Sequence, residues 1–468
     1  MMKYVYLSVL LGITNVAFSQ ENQKTLSALQ FMQMVKQYHP TAKQAALIIE
    51  KAKADITIAR GSFDPLLYNS RAQKTFDGTD YYAYNRPELT IPTWFGIDIY
   101  TGLEKLNGNR TNPTDTKGET SYLGISIPLG KNLLMDKRRA ALQTAKIFRE
   151  ASEPERRNML NNLLLDAMKQ YWQWVQYYQM YKIINDAVAV NEKRLELVKN
   201  SFRLGDRPAI DTTEALTQLQ SFQVMRENAW MQWQNATLEL SVFLWTKDDQ
   251  PYNLSPDIAP AAEEASMNIT DNSLPVLQEL VDAALKNHPE LQVYRFKLEA
   301  LNIEKKLKFQ ELLPTVNFRY NQLGKGYDIL KTDAGPLFEN NFQYGLTIGL
   351  PLRLSAGRGE YKKARLKIQE TQWEQYLKQA QIENKVKTCF NELSALKNQL
   401  LIQEKAYQNY VALQRAEETR FAIGESSLFL INARENKALE ALQKLQELRA
   451  KYLITVNALQ WAAGLLVN

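Results

Sequence analysis

The chain has 468 residues with a formal net charge of +6, 23% charged residues, two histidines and a single cysteine. Charge this mild, with no dense Lys/Arg block, argues against a nucleic-acid partner, and one cysteine excludes an internal disulfide. No run of about 18 apolar residues is present, so a helical membrane span is excluded and any membrane-crossing part must be a β-barrel.

Met1 to Ser19 carries one positive charge, Lys3, an apolar run from Val5 to Leu11 and small residues at Ala17 and Ser19. That pattern reads as a secretory signal peptide over 1–19, cleaved before Gln20. Thr25 to Ala59 follows with Leu26, Leu29, Met32, Val35, Ala45, Ile48 and Ala52 at helical steps, interrupted by His39-Pro40. Proline disfavours helix in the residue before it and suits the first turn of a new helix, so the pair marks a junction between two helices. Three candidate strands come next, around 66–76, 93–106 and 120–130. The intervening "DGTDYYAYNRPELTIPTWFG" reads as an enlarged external loop.

From about Asp136 to Phe202 the chain is almost free of glycine and proline. A helix of this extent reaches on the order of 100 Å, with Pro154 as the expected break or kink. Leu164, Met168, Tyr171, Val175 and Tyr178 form a heptad seam along it. Gly205 ends the helix, Asp206 is a candidate cap, and a return helix runs from about Asp211 to Leu244. A polar, proline-bearing stretch over 246–275 reads as a surface linker.

The same order then recurs. "NHPEL" at 287–291 repeats the His-Pro junction at a constant offset of 249, shared by Pro65 and Pro314, and "YGLTIGLPLR" at 344–353 answers "SYLGISIPLG" at 121–130. Strands are expected at 315–324 and 343–354, since apolar Val316, Phe318 and Tyr320 alternate with polar residues, as do Tyr344, Leu346, Ile348 and Leu350. A second long helix spans about Gly359 to Phe421, with a seam through Ile382, Val386, Cys389, Leu393, Leu396 and Leu400. It turns at Gly424, with Ser426 as candidate cap, and returns from about Leu428 to Leu465. The chain is therefore two copies of one unit, 20–245 and 276–468, around the 246–275 linker. In each copy the strands lie between helices, so they must go out and come back in even number, two in the second copy and two of the three candidates in the first.

The ordered pair of copies, with "NHPEL", the strand-to-helix passage "PLRLSAGRGEYKKARL" (351–366) and the tip "RFAIGESSLFLINARENKALE" (420–440), resembles the TolC-like outer-membrane efflux proteins. The resemblance implies a mainly α fold with a β-barrel part. In it long helical hairpins form a periplasmic tunnel, and four strands per protomer enter a shared 12-stranded barrel of a homotrimer. It further implies an exported protein in the cell outer membrane, in contact with outer-membrane lipid. Its role there would be the passive channel of a tripartite efflux or type I secretion system, joined by a periplasmic adaptor (membrane fusion protein) to an inner-membrane pump. On that resemblance the periplasmic gate and adaptor contact fall at the two tips, on Gly205, Asp206, Asp211, Gly424, Glu425 and Arg434, with Arg434 bonding across to the first tip as part of a latch. No phosphate-binding glycine loop, catalytic triad or carboxylate pair is legible, so an enzyme, a cofactor and a metal site are not expected. The alternative is a soluble periplasmic coiled-coil scaffold or adaptor, which accounts for the heptads and leaves the matched strands unexplained.

Overall fold

The computed structural model describes residues 25–109, 112, 115–255, 257–266, 274–327 and 341–467. The segment expected to be a signal peptide lies outside the described residues, as does part of the expected linker. The chain divides into two compact units, one of residues 39–166, 273–395 and 455–468, the other of the remaining segments.

In chain order the elements are β1 (Thr25–Leu26), α1 (Ala28–Tyr38), α2 (Pro40–Gly61), β2 (Leu66–Phe76), β3 (Thr79–Pro92), β4 (Asp98–Asn107), β5 (Gly118–Pro128), α3 (Lys137–Arg203) and α4 (Ala209–Ser241). There follow β6 (Ala259–Pro260), α5 (Ala262–Ser266), α6 (Leu277–Asn287), α7 (Pro289–Phe309), β7 (Thr315–Lys325), β8 (Phe342–Gly349), α8 (Ser355–Ala422) and α9 (Leu428–Ala462). Each half of the chain runs through two helices, strands, a long helix and a return helix. Both His-Pro pairs sit between helices as expected, and each histidine is the N-cap: His39 Nδ1 accepts from the Thr41 amide at 3.1 Å and His288 Nδ1 from the Glu290 amide at 3.3 Å. Burial lowers the pKa of both imidazoles, which keeps the accepting nitrogen free of a proton.

Of the break or kink expected at Pro154, the break does not occur, and α3 runs 67 residues through it. Proline leaves the carbonyl one turn back without its donor, and one residue nearer the N-terminus the Ser152 hydroxyl donates to the Arg149 carbonyl at 2.6 Å. Along the seams Leu164, Met168, Tyr171, Val175, Ile382, Val386, Cys389, Leu393, Leu396 and Leu400 are all buried. Cys389 packs there as a small apolar side chain, and desolvation raises its thiol pKa.

The sheet belongs to the unit containing 39–166. Its order is β2-β3-β4-β5-β7-β8, every neighbouring pair antiparallel. The strands expected near 93–106, 120–130, 315–324 and 343–354 stand side by side as β4, β5, β7 and β8. The sheet extends beyond them by a further hairpin, so it has six strands. The external-loop reading of 77–96 is corrected: Thr79–Pro92 is a 14-residue strand joined to β2 by Asp77 and Gly78, both at positive φ. The expectation that only two of the three candidates in the first copy pair is corrected too: all three do, and with β3 the first copy supplies four strands, an even number.

Register separates the two faces. One carries Ile99, Leu123, Ile125, Ile127, Val316, Phe318, Tyr320, Tyr344, Leu346 and Ile348, with Ile125 opposite Tyr320 and Phe318 opposite Leu346. The stripe thins at β2, where Asn69, Arg71 and Gln73 follow Leu67 on this side. The other face is polar and cross-linked. Arg86 pairs with Glu104, the Tyr122 hydroxyl donates to Glu88 at 2.6 Å, Tyr100 bonds Asn321, and Arg319 lies 4.8 Å over the Tyr100 ring. Gly102 and Gly124 leave room for the Tyr122 and Tyr100 rings to lie against the strands, since a Cβ at either would collide with them.

In the other unit β1 pairs in parallel with β6. The Tyr171 hydroxyl, fully buried, lies 2.9 Å from the Leu26 carbonyl and 2.7 Å from Glu264, whose other oxygen accepts from the Ala28 amide at 2.9 Å. Glu264 thereby caps α1 and ties the described part of the 246–275 segment to α3.

The two helical hairpin tips

Both tips lie in one unit and share a backbone design. In the first, the Gly205 amide donates to the Phe202 carbonyl at 3.0 Å and the Asp206 amide to Ser201 at 3.0 Å. In the second, Gly424 donates to Phe421 at 3.1 Å and Glu425 to Arg420 at 2.9 Å. These are paired Schellman closures, with the glycines at φ +81° and +82° where a side chain is strained. Asp206 and Glu425 are the residues just past the turn, on equivalent positions. Neither Asp206 nor Ser426 caps the following helix: α4 starts from Pro208 without a side-chain cap, and the Ser427 hydroxyl accepts from Leu430.

Side-chain chemistry differs between the tips. Arg207 in the first holds Asp211 at 3.4 Å, reaches the Phe421 carbonyl at 3.5 Å and places its guanidinium 3.6 Å over the Phe421 ring. It is the residue that crosses to the other tip. Arg434, expected in that role, instead faces Glu417 of its own hairpin at 3.7 Å. Glu417 is 6% exposed and also accepts from the Ser426 hydroxyl, which fixes its carboxylate inside the second tip.

Below the tips, a core of Val188, Leu195, Val198, Ala215, Leu219, Phe222 and Leu428 joins α3, α4 and α9, with Phe421 of α8 packed on it. Polar rungs cross it. Asn432 donates to Glu214 at 3.5 Å and Gln218 to Asn436 at 2.8 Å, while Arg194 grips Glu435 at 2.6 and 3.2 Å with Asn191 as a further donor to the same carboxylate. Burial, then repulsion from Asp211, raises the pKa of Glu214.

Of the six expected tip residues, the glycines shape the turns, Asp206 and Glu425 stand at them, Asp211 is engaged by Arg207, and Arg434 pairs within its own hairpin. Arg207, Glu417, Glu214, Arg194 and Glu435 were not singled out by the sequence. Arg207 had a signal, as a cation at a position where the second copy has serine.

Residues 280–465 match the family profile "Outer membrane efflux protein". No curated protein sequence matches the chain. Among solved structures, the CmeC outer membrane channel of Campylobacter jejuni is 14% identical with a TM-score of 0.65, the match covering 99% of this chain and 94% of CmeC. The outer membrane protein VceC of Vibrio cholerae is 16% identical with a TM-score of 0.63, over 93% of this chain and 96% of VceC. The open state of the MtrE outer membrane channel of Neisseria gonorrhoeae is 12% identical with a TM-score of 0.66, over 94% of this chain and 89% of MtrE. The chain thus has the fold of these channels, mainly helical with a minor part in strands.

Proposed function

We propose that the protein is a passive exit duct in the outer membrane, in which copies of the chain, three by the family resemblance, close their sheets edge to edge into one barrel. The observation that carries this reading is the sheet itself. It has an apolar face across β4, β5, β7 and β8, an opposite face of charged, tyrosyl and glycyl residues, and outer strands β2 and β8 that each have a partner on one side only among the described residues. An apolar outer face against lipid and a polar lumen is what a transmembrane barrel requires, and an unclosed edge in lipid would leave backbone groups unpaired. A single six-stranded sheet is too small to close alone.

The helical hairpins would then extend into the periplasm, with the tips as the entrance. There Asp206, Asp211 and Glu425 supply negative charge, and Arg207 on Phe421 holds one hairpin against the other. A periplasmic adaptor joined to an inner-membrane pump would grip this end and supply the driving force, so the duct itself needs no catalytic group. A soluble coiled-coil scaffold would have no use for a sheet with an exposed apolar face. The test is conductance: purified protein added to a planar bilayer is expected to give unitary current steps, enlarged by Arg207→Ala. A protein that inserts under no condition, while folded, overturns the reading.

A further inference from the structure

Beneath the sheet, the unit containing 39–166 holds a groove of about 760 Å³ between α2, α3 and α7. Its lining includes the small side chains Ala59, Ala140, Ala141, Ala145 and Ala300 and the larger Ile58, Phe148, Leu301 and Leu307. Ile58 is 73% exposed and Phe148 46%. From Lys137 to Phe148 the groove follows α3 for about 16 Å at 1.5 Å per residue. Volume and length suit one amphiphile with a rigid or extended apolar body.

Its upper end has a sign. Lys137 is the first residue of α3 and belongs to the run Lys137-Arg138-Arg139, while Asp136 caps the helix by accepting from the Arg139 amide at 2.8 Å. Arg138 is offset by Asp98 at 2.9 Å and Arg139 by Asp136. Lys137 has no acidic partner among the described residues. The other rim lysines are engaged, Lys297 by Glu374 and Lys367 by Glu304. The remaining rim acid is Asp55, on α2 one turn before Ala59.

Lys137 and Leu307 also line a second cavity of about 510 Å³, which includes Asp98, Ser126 and Asn317 of the polar sheet face. The groove therefore opens on the side that is the lumen if the protein is a duct. We infer that this groove is a resting site for amphiphilic anions in transit, the apolar body lying along the alanines between Ile58, Phe148 and Leu301 and the anionic head at Lys137. This assignment rests on the duct reading for its meaning, and on the groove alone for its binding.

The probe is radiolabelled taurocholate, kept below its micelle concentration, with full-length protein purified in a neutral maltoside detergent. The expected result is one saturable site per chain. Ala141→Trp, which fills the groove, should abolish it; Lys137→Gln should weaken it about fivefold or more; and an uncharged analogue of the same body should compete about fivefold less well. Particle size should be unchanged in both variants. Binding that does not saturate, or that survives Ala141→Trp, overturns the site. Equal competition by the uncharged analogue overturns the assignment of Lys137. If Ala141→Trp instead breaks the particle into smaller species, the groove is a contact between copies and the proposal fails, while the duct reading stands. Conversely, saturable binding by a protein absent from the outer membrane would sink the duct reading and leave the site.

Discussion

The first and second hairpin tips have the same backbone and different side chains. Each long helix ends in a glycine-centred Schellman closure with matching hydrogen bonds, yet the first tip sends Arg207 across onto Phe421, while in the second Arg434 and the Ser426 hydroxyl both address Glu417 of their own hairpin. The difference teaches that the repeat conserves what the backbone demands, an αL residue and a reversal, while the polar contacts are free to diverge. The first tip reaches across and the second receives it, through Arg207 on Phe421.

The largest expected effect lies just below the tips, where α3 and α9 are joined. Glu435 is 7% exposed and held by Arg194 and Asn191. Arg194→Ala leaves a buried carboxylate without its cation and should cost about 3–5 kcal/mol, while the double variant Arg194→Met/Glu435→Leu should recover most of that. Chemical denaturation of the detergent-extracted protein checks both, and additive losses would break the claim that the two act as a pair.

Next come the glycines, which test whether the two turns are equivalent. Gly205→Ala and Gly424→Ala each place a Cβ at positive φ with nothing within 4 Å, so the loss should be conformational, about 1–2 kcal/mol, and equal in the two. Unequal losses would show that the tips differ in backbone as well as in side chain.

Arg207→Ala should cost about 1–2 kcal/mol by removing the stacked cation. Arg434→Ala removes a long ion pair whose arginine is partly exposed and leaves Glu417 its Ser426 hydrogen bond, so it should cost less than about 1 kcal/mol. Resting conductance should rise in the first and hardly change in the second, and the reverse order would return the crossing role to Arg434.

The smallest effect tests the repeat elsewhere. His39 and His288 cap α2 and α7 in the neutral form, and burial depresses both pKa values. The unfolded chain thus takes up protons more readily, so this stability is complete above about pH 6.5 and is lost as pH falls through the lowered folded values. Replacing either histidine with asparagine, an acceptor that does not titrate here, should flatten the pH dependence below about pH 6.5 at a cost near 0.5–1 kcal/mol. An unchanged slope would remove the caps as its source.

The helices were legible in the sequence because their seams are long and regular: Ile382 to Leu400 keeps its four- and three-residue steps and is buried throughout. The His-Pro junctions and the tip glycines were legible for the same reason, as local backbone rules. Strand β3 was not, because Pro87 and Pro92 and a run of tyrosines hide its alternation. Proline is accommodated since Arg86 and Pro87 fall outside the β3–β4 pairing register. Asp77-Gly78, a tight-turn pair, was the signal for that hairpin. At the tips, sequence named the charged residues but not their partners. Whether Arg434 turns to Glu417 or to the neighbouring tip depends on how four helices pack, and the Phe421 ring offered to Arg207 comes from a residue 214 positions away.

The central claim is that copies of this chain share one barrel in the outer membrane. Separation of inner and outer membranes, followed by light scattering of the detergent-extracted particle, tests it most directly. A trimer recovered from the outer membrane is the predicted result; a soluble periplasmic monomer or dimer would contradict it.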